Sequence, residues 1–337
     1  IPSVTQRAKM SSAKRGTKAQ RCQGGSILVT SRTGAQASDD RPSNAADSDV
    51  TTYDGSIQCV HVLGHPDRPL DMERFPADAQ VFNCSNLCKL LSLAKVPFLY
   101  YGLPGSRIPA GGRLVDLGHP SEPWQHRNAR HQEYTFQLDK SLRRELASHP
   151  DIPRIVVSMY GCAQADIEAP DELNVPIVEA MVGYDHCWAP YRVFPSYSHQ
   201  SVLYTDVSER VQESIWFDTV IPHFVDKNDY WPANEIADYA LFMGRNTVDK
   251  GCHIAEEICD RAGITLTVVH DGVSGAEKTE LISRAIAVFM PTIYVEPFGY
   301  VAVEAQMCGV PAITTDWGAF SETVEQGKTG FRCRSAA

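Results

Sequence analysis

From Ile57 onward, short apolar runs closed by glycine alternate with stretches of helical spacing, and few architectures accept that order. Strands that read as nearly continuous apolar segments are buried on both faces, which predicts parallel sheets covered by helices. In the first region, residues 57–64, 96–102, 154–159, 176–181 and 201–205 read as strands. Residues 83–94 and 136–148 read as helices, and the Pro- and Gly-rich residues 103–123 as a loop. Periodicity breaks at 219–222 and through the polar stretch to Asp238, where prolines and charges suggest a hinge.

The pattern then restarts. Residues 239–244 form a strand closed by Gly244, and a loop leads into a helix with apolar Ile254, Ile258 and Ala262 at helical spacing. Gly263 stands where a left-handed terminator belongs. Strands at 265–270, 287–291 and 310–314 alternate with helices at 277–285 and 300–308. At 337 residues the chain exceeds the size at which one core keeps growing, so two domains are expected. The division predicted is an N-terminal extension at 1–56, a Rossmann-like domain at 57–222 and a second one at 223–337. Two such domains facing across a cleft would bind a ligand at the carboxyl ends of their strands.

Charge removes several function classes. Residues 1–56 carry eight Lys/Arg against five Asp, which leaves 23 basic against 36 acidic residues in the body. A body of that sign repels polyphosphate, so nucleic acid is not expected as a partner; such binding would have to rest on the basic start alone. The basic, polar start cannot bury enough apolar surface to offset its ordering entropy and reads as a flexible extension. No stretch approaches the roughly 18 apolar residues that cross a bilayer, and none near the start resembles a signal peptide. A cytoplasmic protein is expected; peripheral membrane contact and oligomeric state stay open. The ten cysteines show no CxxC spacing, which argues against a disulfide framework or a structural zinc.

Chemistry concentrates in the second domain. In Glu296-Pro-Phe-Gly-Tyr-Val-Ala-Val-Glu304, Pro297 precedes a helix and Gly299 lets backbone approach a ligand. The first helical amides make an anion site. Ionised Glu296 and Glu304 accept hydrogen bonds, and sugar hydroxyls donate them. In Gly244-Arg-Asn-Thr-Val-Asp-Lys-Gly251, Arg245 offers a planar fork and Lys250 a point charge. Solvated surface cations are the competing reading. The strand-end position favours neutralisation of a diphosphate without a metal.

Together, Met243-Gly-Arg245, Lys250-Gly251, Glu296-Pro-Phe-Gly299, Glu304-Ala305, Cys308-Gly-Val-Pro311 and Thr315-Asp316 followed by Glu322 resemble the donor domain of GT-B retaining glycosyltransferases of family 4. The likeness is clearest from about Val220 onward. It implies that the first domain binds a carbohydrate-type acceptor and the second a nucleotide sugar. By that resemblance Glu304 holds the ribose hydroxyls, Arg245 and Lys250 the diphosphate, and Glu296 the hydroxyls of the donor sugar. The amides around Phe298, Gly299 and Tyr300 then lie beside sugar and phosphate. Transfer retains the anomeric configuration, with no cofactor and no divalent ion. The Asp-x-Asp present, Asp47-Ser-Asp49, lies in the polar extension, so a metal-dependent GT-A reading fails on context.

On the acceptor side, Glu179, Tyr184 and His186 follow a buried strand, and His65 follows the first strand. His186 is placed against the donor sugar or an acceptor hydroxyl, with a structural histidine as the alternative. Glu179 is either a cleft carboxylate or an ordinary strand-end residue. Gly161 and Gln164 are further cleft candidates, whereas Tyr191, Arg192 and Phe194 read as packing. Two departures from the family stand out. The short connection after His270 predicts a sheet one strand short, or residues missing from the sequence there. The second domain is also expected to be incomplete after Ala337. A non-catalytic nucleotide-sugar-binding relative is the alternative, and an epimerase on the same scaffold is disfavoured by Glu296-Pro-Phe-Gly299.

Overall fold

Seven short strands pair in parallel as the first sheet: β1 (Cys59–Leu63), β2 (Phe98–Gly102), β3 (Gly112–Asp116), β4 (Arg154–Ser158), β5 (Ile177–Glu179), β6 (Tyr191–Phe194) and β7 (Thr219–Val220). Their spatial order is β3-β2-β1-β4-β5-β6-β7. This computed structural model describes residues 57–76, 78–119, 127–180, 182, 187–205, 217–270 and 273–335. The predicted extension at 1–56 lies outside them.

Helices α1 (Ala79–Leu93), α2 (Arg127–Ser148), α3 (Ala169–Glu172) and α4 (Tyr197–Thr205) belong to the first lobe. The Asp78 carboxylate starts α1 by accepting from the amides of Gln80 and Val81 at 2.9 and 3.0 Å, a side-chain N-cap. Leu138, Leu142 and Leu146 of α2 recur at helical spacing and are fully buried in the core that includes Leu63, Tyr101 and Val156. A second cluster, including Val62, Phe98, Tyr100 and Cys84, fills another core of the same lobe. Both faces of the central strands are thereby covered, as their apolar runs require.

The second sheet holds β8 (Ala240–Met243), β9 (Leu266–Val269), β10 (Ala287–Met290), β11 (Ala312–Thr315) and β12 (Gly330–Cys333), all parallel, in the order β12-β11-β10-β8-β9. Its helices are α5 (Cys252–Ala262), α6 (Gly275–Ser283), α7 (Tyr300–Met307) and α8 (Phe320–Thr323). Gly263 ends α5 at φ 65° in the left-handed region, as expected of a terminator. After β9, at the edge of the sheet, α6 leads the chain across β8 to β10. The chain is therefore α/β, with two Rossmann-like lobes. No described helix is long and apolar enough to cross a membrane.

Two local expectations are corrected. Residues 201–205 are the end of α4, not a strand. Ser196 accepts from the His199 amide at 3.1 Å, and Glu322 of the other lobe accepts from the amides of Tyr197 and Ser198 at 2.9 and 2.7 Å. Half of this cap comes from a distant residue, so no local pattern announces it. The supposed loop at 103–123 contains β3, an edge strand with Val115 as its buried residue and therefore no apolar run.

The lobes, both within the unit Tyr53–Ala337, meet through polar contacts. Lys89 pairs with Asp226 at 2.8 Å and Asp229 at 2.6 Å. Tyr300 donates to Asn83 at 2.8 Å, and Ser196 donates to the Pro297 carbonyl at 2.7 Å. The last contact ties α4 to the Glu296-Pro-Phe-Gly loop.

His61 on β1 is buried, with Nδ1 2.7 Å from the Tyr101 hydroxyl, and burial pushes its imidazole down to about 4. A depressed histidine leaves the unfolded chain binding more protons as pH falls below its ordinary value. Its stabilising contribution is therefore intact above about pH 6.5 and is lost toward pH 4. Between pH 7 and 5 this amounts to about 2 kcal/mol. Denaturant unfolding of His61→Gln is expected to show a pH slope shallower by that amount than the parent. An equal slope would show that His61 does not carry the effect.

Candidate functional site

In an open parallel sheet the crevice lies where strand order reverses. In the second sheet that point is between β8 and β10. The loops leaving these strands, 244–251 and 291–299, carry Arg245, Lys250 and Glu296. The Ile293 amide donates to the Asp249 carbonyl at 2.9 Å and knits the loops together. Gly251, at φ 76°, makes the close approach: a Cβ there would stand 2.1 Å from the Pro291 carbonyl oxygen.

Glu296 is 9% exposed. Its Oε2 accepts from Lys250 Nζ at 3.1 Å and from the Tyr294 hydroxyl, while Lys250 also donates to Tyr294. Burial, reinforced by the Glu296 charge, pushes the Tyr294 phenol far up, so it stays protonated as a donor. The Lys250 ammonium expected to meet a diphosphate is thus shared with the Glu296 carboxylate. Arg245 is exposed and has no side-chain hydrogen bond or ion pair among the described residues. Its charge is still felt at Tyr294 and Asp249.

Glu304, on α7, is 0% exposed. Oε1 accepts from the Tyr230 hydroxyl at 2.9 Å and from Lys278 Nζ at 2.6 Å. Lys278 Nζ is equally close to Oε2, at 2.6 Å, but hydrogen-bond geometry is met only at Oε1. The ammonium thus bridges both carboxylate oxygens, and Oε2 has no second polar partner among the described residues.

Gly299 begins α7 at φ 84°, where an added Cβ would meet the Phe320 ring at 2.5 Å. The amides of Gly299, Tyr300 and Val301 have no acceptor among the described residues, as helix geometry leaves them. Both aromatic side chains of the motif are occupied elsewhere. Phe298 and Tyr300 pack on His223 at centroid distances of 4.8 and 4.9 Å, and Tyr300 meets Phe82 edge-on at 4.7 Å. This leaves the amides of Phe298 and Tyr300 for a ligand.

The first-lobe candidates divide. His65 is buried, accepts from the Asp67 amide at Nδ1 (2.9 Å) and has Nε2 2.8 Å from the Tyr160 hydroxyl. Its ring proton therefore sits on Nε2, and burial holds the imidazole down at about 4, so it is neutral. His65 follows β1 and Tyr160 follows β4, which places this pair at the reversal point of the first sheet. Glu179 is 0% exposed and accepts from the amides of Trp188 and Ala189 at 2.8 and 3.1 Å. It has the strand-end role of holding the next loop. Gln164 is likewise interior, accepting from Ser158 and the amides of Met159 and Tyr160. Tyr184 and His186 lie outside the described residues.

Sequence reasoning missed Tyr230, Lys278 and Tyr294. Tyr294 had a signal, being two positions before Glu296 in the same loop. Tyr230 and Lys278 had none, because 74 and 26 positions separate them from Glu304. A shallow concavity of about 510 Å³, lined by residues such as Gln306, Glu322 and Arg332, includes none of the candidate site residues. Among the described residues no group of three or more His, Cys, Asp or Glu is placed to hold a metal ion.

Comparison with known proteins bears on the same segment. Residues 256–336 match the family model described as "Glycosyl transferases group 1". The glycogen synthase of Mycobacterium tuberculosis is 33% identical over 122 residues, covering 28% of this chain and 29% of that protein. The D-inositol 3-phosphate glycosyltransferase of Rhodococcus erythropolis is 36% identical over 75 residues, 22% of this chain and 17% of its own. The chain thus spans less than a third of the length of these relatives. Among solved structures, AviGT4, a glycosyltransferase involved in avilamycin A biosynthesis, superposes with a TM-score of 0.56 at 19% identity, covering 83% of this chain and 86% of its own. The Anabaena protein Alr3699/HepE in complex with UDP and glucose gives 0.55 at 14% identity, with coverage of 83% and 86%. At these identities the structural likeness concerns the fold. Residues 256–336, with Glu296 and Glu304 inside them, are therefore similar to the group 1 glycosyl transferases, and the chain carrying them shares the two-lobed GT-B fold of these solved structures.

Proposed function

We propose that the protein is a retaining, metal-independent glycosyltransferase that moves a monosaccharide from a nucleotide-diphosphate sugar to a hydroxyl of a carbohydrate-type acceptor. The observation that carries this reading is the fully buried Glu304 carboxylate, one helix turn beyond the amides at the start of α7 that have no acceptor among the described residues. A ribose hydroxyl is a donor of the right kind for Oε2, and the amides suit the diphosphate. Binding requires local movement, since Oε2 is closed off from solvent.

Glu296 takes the hydroxyls of the transferred sugar. Lys250, already against Glu296, stands between that carboxylate and the diphosphate, and Arg245 supplies the second cation. In the reaction the bond from the anomeric carbon to the phosphate oxygen breaks, and its electron pair leaves with the phosphate. The acceptor oxygen bonds to the same face of the carbon and its proton passes to the departing phosphate. Fixed cations and helix amides stabilise the charge that grows on that phosphate, which is the task a metal would otherwise perform. His186, in the first lobe, is assigned to the donor sugar or the acceptor hydroxyl.

Incubation with a panel of nucleotide sugars, read as saturable hydrolysis or transfer, tests the class. Glu296→Gln is expected to lower kcat about tenfold to a hundredfold. Affinity for the free nucleotide diphosphate should change less than about threefold. Hydrolysis of no donor, or equal losses in kcat and nucleotide affinity, would remove the assignment.

A further inference from the structure

Lys278 lies on α6, which follows β9. Its ammonium is 2.6 Å from both oxygens of the fully buried Glu304, and it also rests over the Phe82 ring of the first lobe, 5.4 Å from the centroid. Phe82 in turn touches Tyr300. The Lys278 side chain is 19% exposed and Glu304 0%, so Lys278 lies on the solvent side of the pair.

We propose that Lys278 is a positioning residue of the nucleotide site: its ammonium, against both carboxylate oxygens, and the Tyr230 hydroxyl on Oε1 fix the orientation in which Glu304 meets the ribose hydroxyls. This rests on the assignment of Glu304 to the ribose. A carboxylate held by an ammonium and a hydroxyl keeps a single orientation and meets a ligand without a rotamer search. The charge also matters: an isolated buried carboxylate is strongly disfavoured, and the neighbouring ammonium lets it remain an acceptor for two hydroxyls. Phe82 makes the arrangement depend on the first lobe, because its ring face holds the ammonium from the far side.

The readout is discrimination between ribose and deoxyribose. UDP, GDP and ADP, each paired with its 2′-deoxy analogue, are titrated calorimetrically into the full chain. The parent is expected to prefer the ribonucleotide about tenfold for the base it binds, the value of one hydrogen bond to a charged group. Lys278→Met should bring that ratio below about twofold, while Lys278→Arg restores most of it. A lysine that merely attracts phosphate, or merely stabilises the lobe, would weaken both members of a pair equally and leave the ratio unchanged. That result overturns the proposal. If Lys278→Met does not fold, Lys278→Gln and Phe82→Ala are read the same way, each with a reduced ratio expected. If the parent itself binds none of the six, or binds without preference, the ribose assignment of Glu304 fails and the role of Lys278 falls with it. A preserved parent ratio with an unchanged Lys278→Met ratio removes Lys278 alone.

Discussion

Glu304→Ala is expected to weaken binding of the cognate nucleoside diphosphate by about two to three orders of magnitude, from the loss of two charge-assisted hydrogen bonds at about 1.5–2 kcal/mol each. The change removes the carboxylate that Tyr230 and Lys278 hold. It also strands the Lys278 ammonium, at 19% exposure, without its counter-charge. Some stability is therefore lost as well, and the melting temperature must be recorded beside the affinity. Calorimetric titration with UDP, GDP and ADP separates the two effects, because a folded variant with intact affinity for each would contradict the assignment. Adding salt supplies a control: the contribution of Arg245, which is exposed, is screened, whereas hydrogen bonds to a buried carboxylate are not.

Gly251→Ala is expected to destabilise the second lobe by more than about 3 kcal/mol, one of the larger effects open to a single methyl. The position has φ 76°, which costs an L-residue about 1–2 kcal/mol by itself. The added Cβ would also lie 2.1 Å from the Pro291 oxygen and 2.9 Å from its carbonyl carbon. Backbone cannot rotate away as a flexible side chain would, so the loops after β8 and β10 must separate. Their separation pulls Lys250 from Glu296, and nucleotide affinity should fall together with stability. Gly263→Ala is the contrast, with φ 65° but nothing within 4 Å of the new methyl. It should lose about 1–2 kcal/mol in urea unfolding and leave binding untouched. Equal losses at the two glycines would show that conformation alone, not the approach to Pro291, sets the cost.

Much of the architecture was legible before any coordinate. Apolar runs marked most of the central strands in both sheets, and Gly263 marked the end of α5. Edges were harder to see. β3 and β12 are edge strands with mixed burial, and β7 is two residues long, so none has a run to read. The helix at 197–205 was read as a strand over its second half because its N-terminus is capped from the other lobe by Glu322. The same distinction runs through the site. The segment from Glu296 to Glu304 and the loop from Arg245 to Lys250 are contiguous, and their composition alone pointed to acceptors and cations at strand ends.

Residue types and their spacing along one segment therefore carried the α/β class, the two-lobed division of the folded body and the identity of the charged groups at the mouth of the second sheet. Which of those groups are already engaged was settled only when the chain closed on itself. Lys250 is held by Glu296, Glu304 is buried beneath Lys278 and Tyr230, and Phe298 and Tyr300 turn their rings into the joint between lobes. The physical reason is range. Periodicity and turn chemistry act over a few residues, whereas burial and ion pairing depend on what a remote part of the chain brings within a few ångströms.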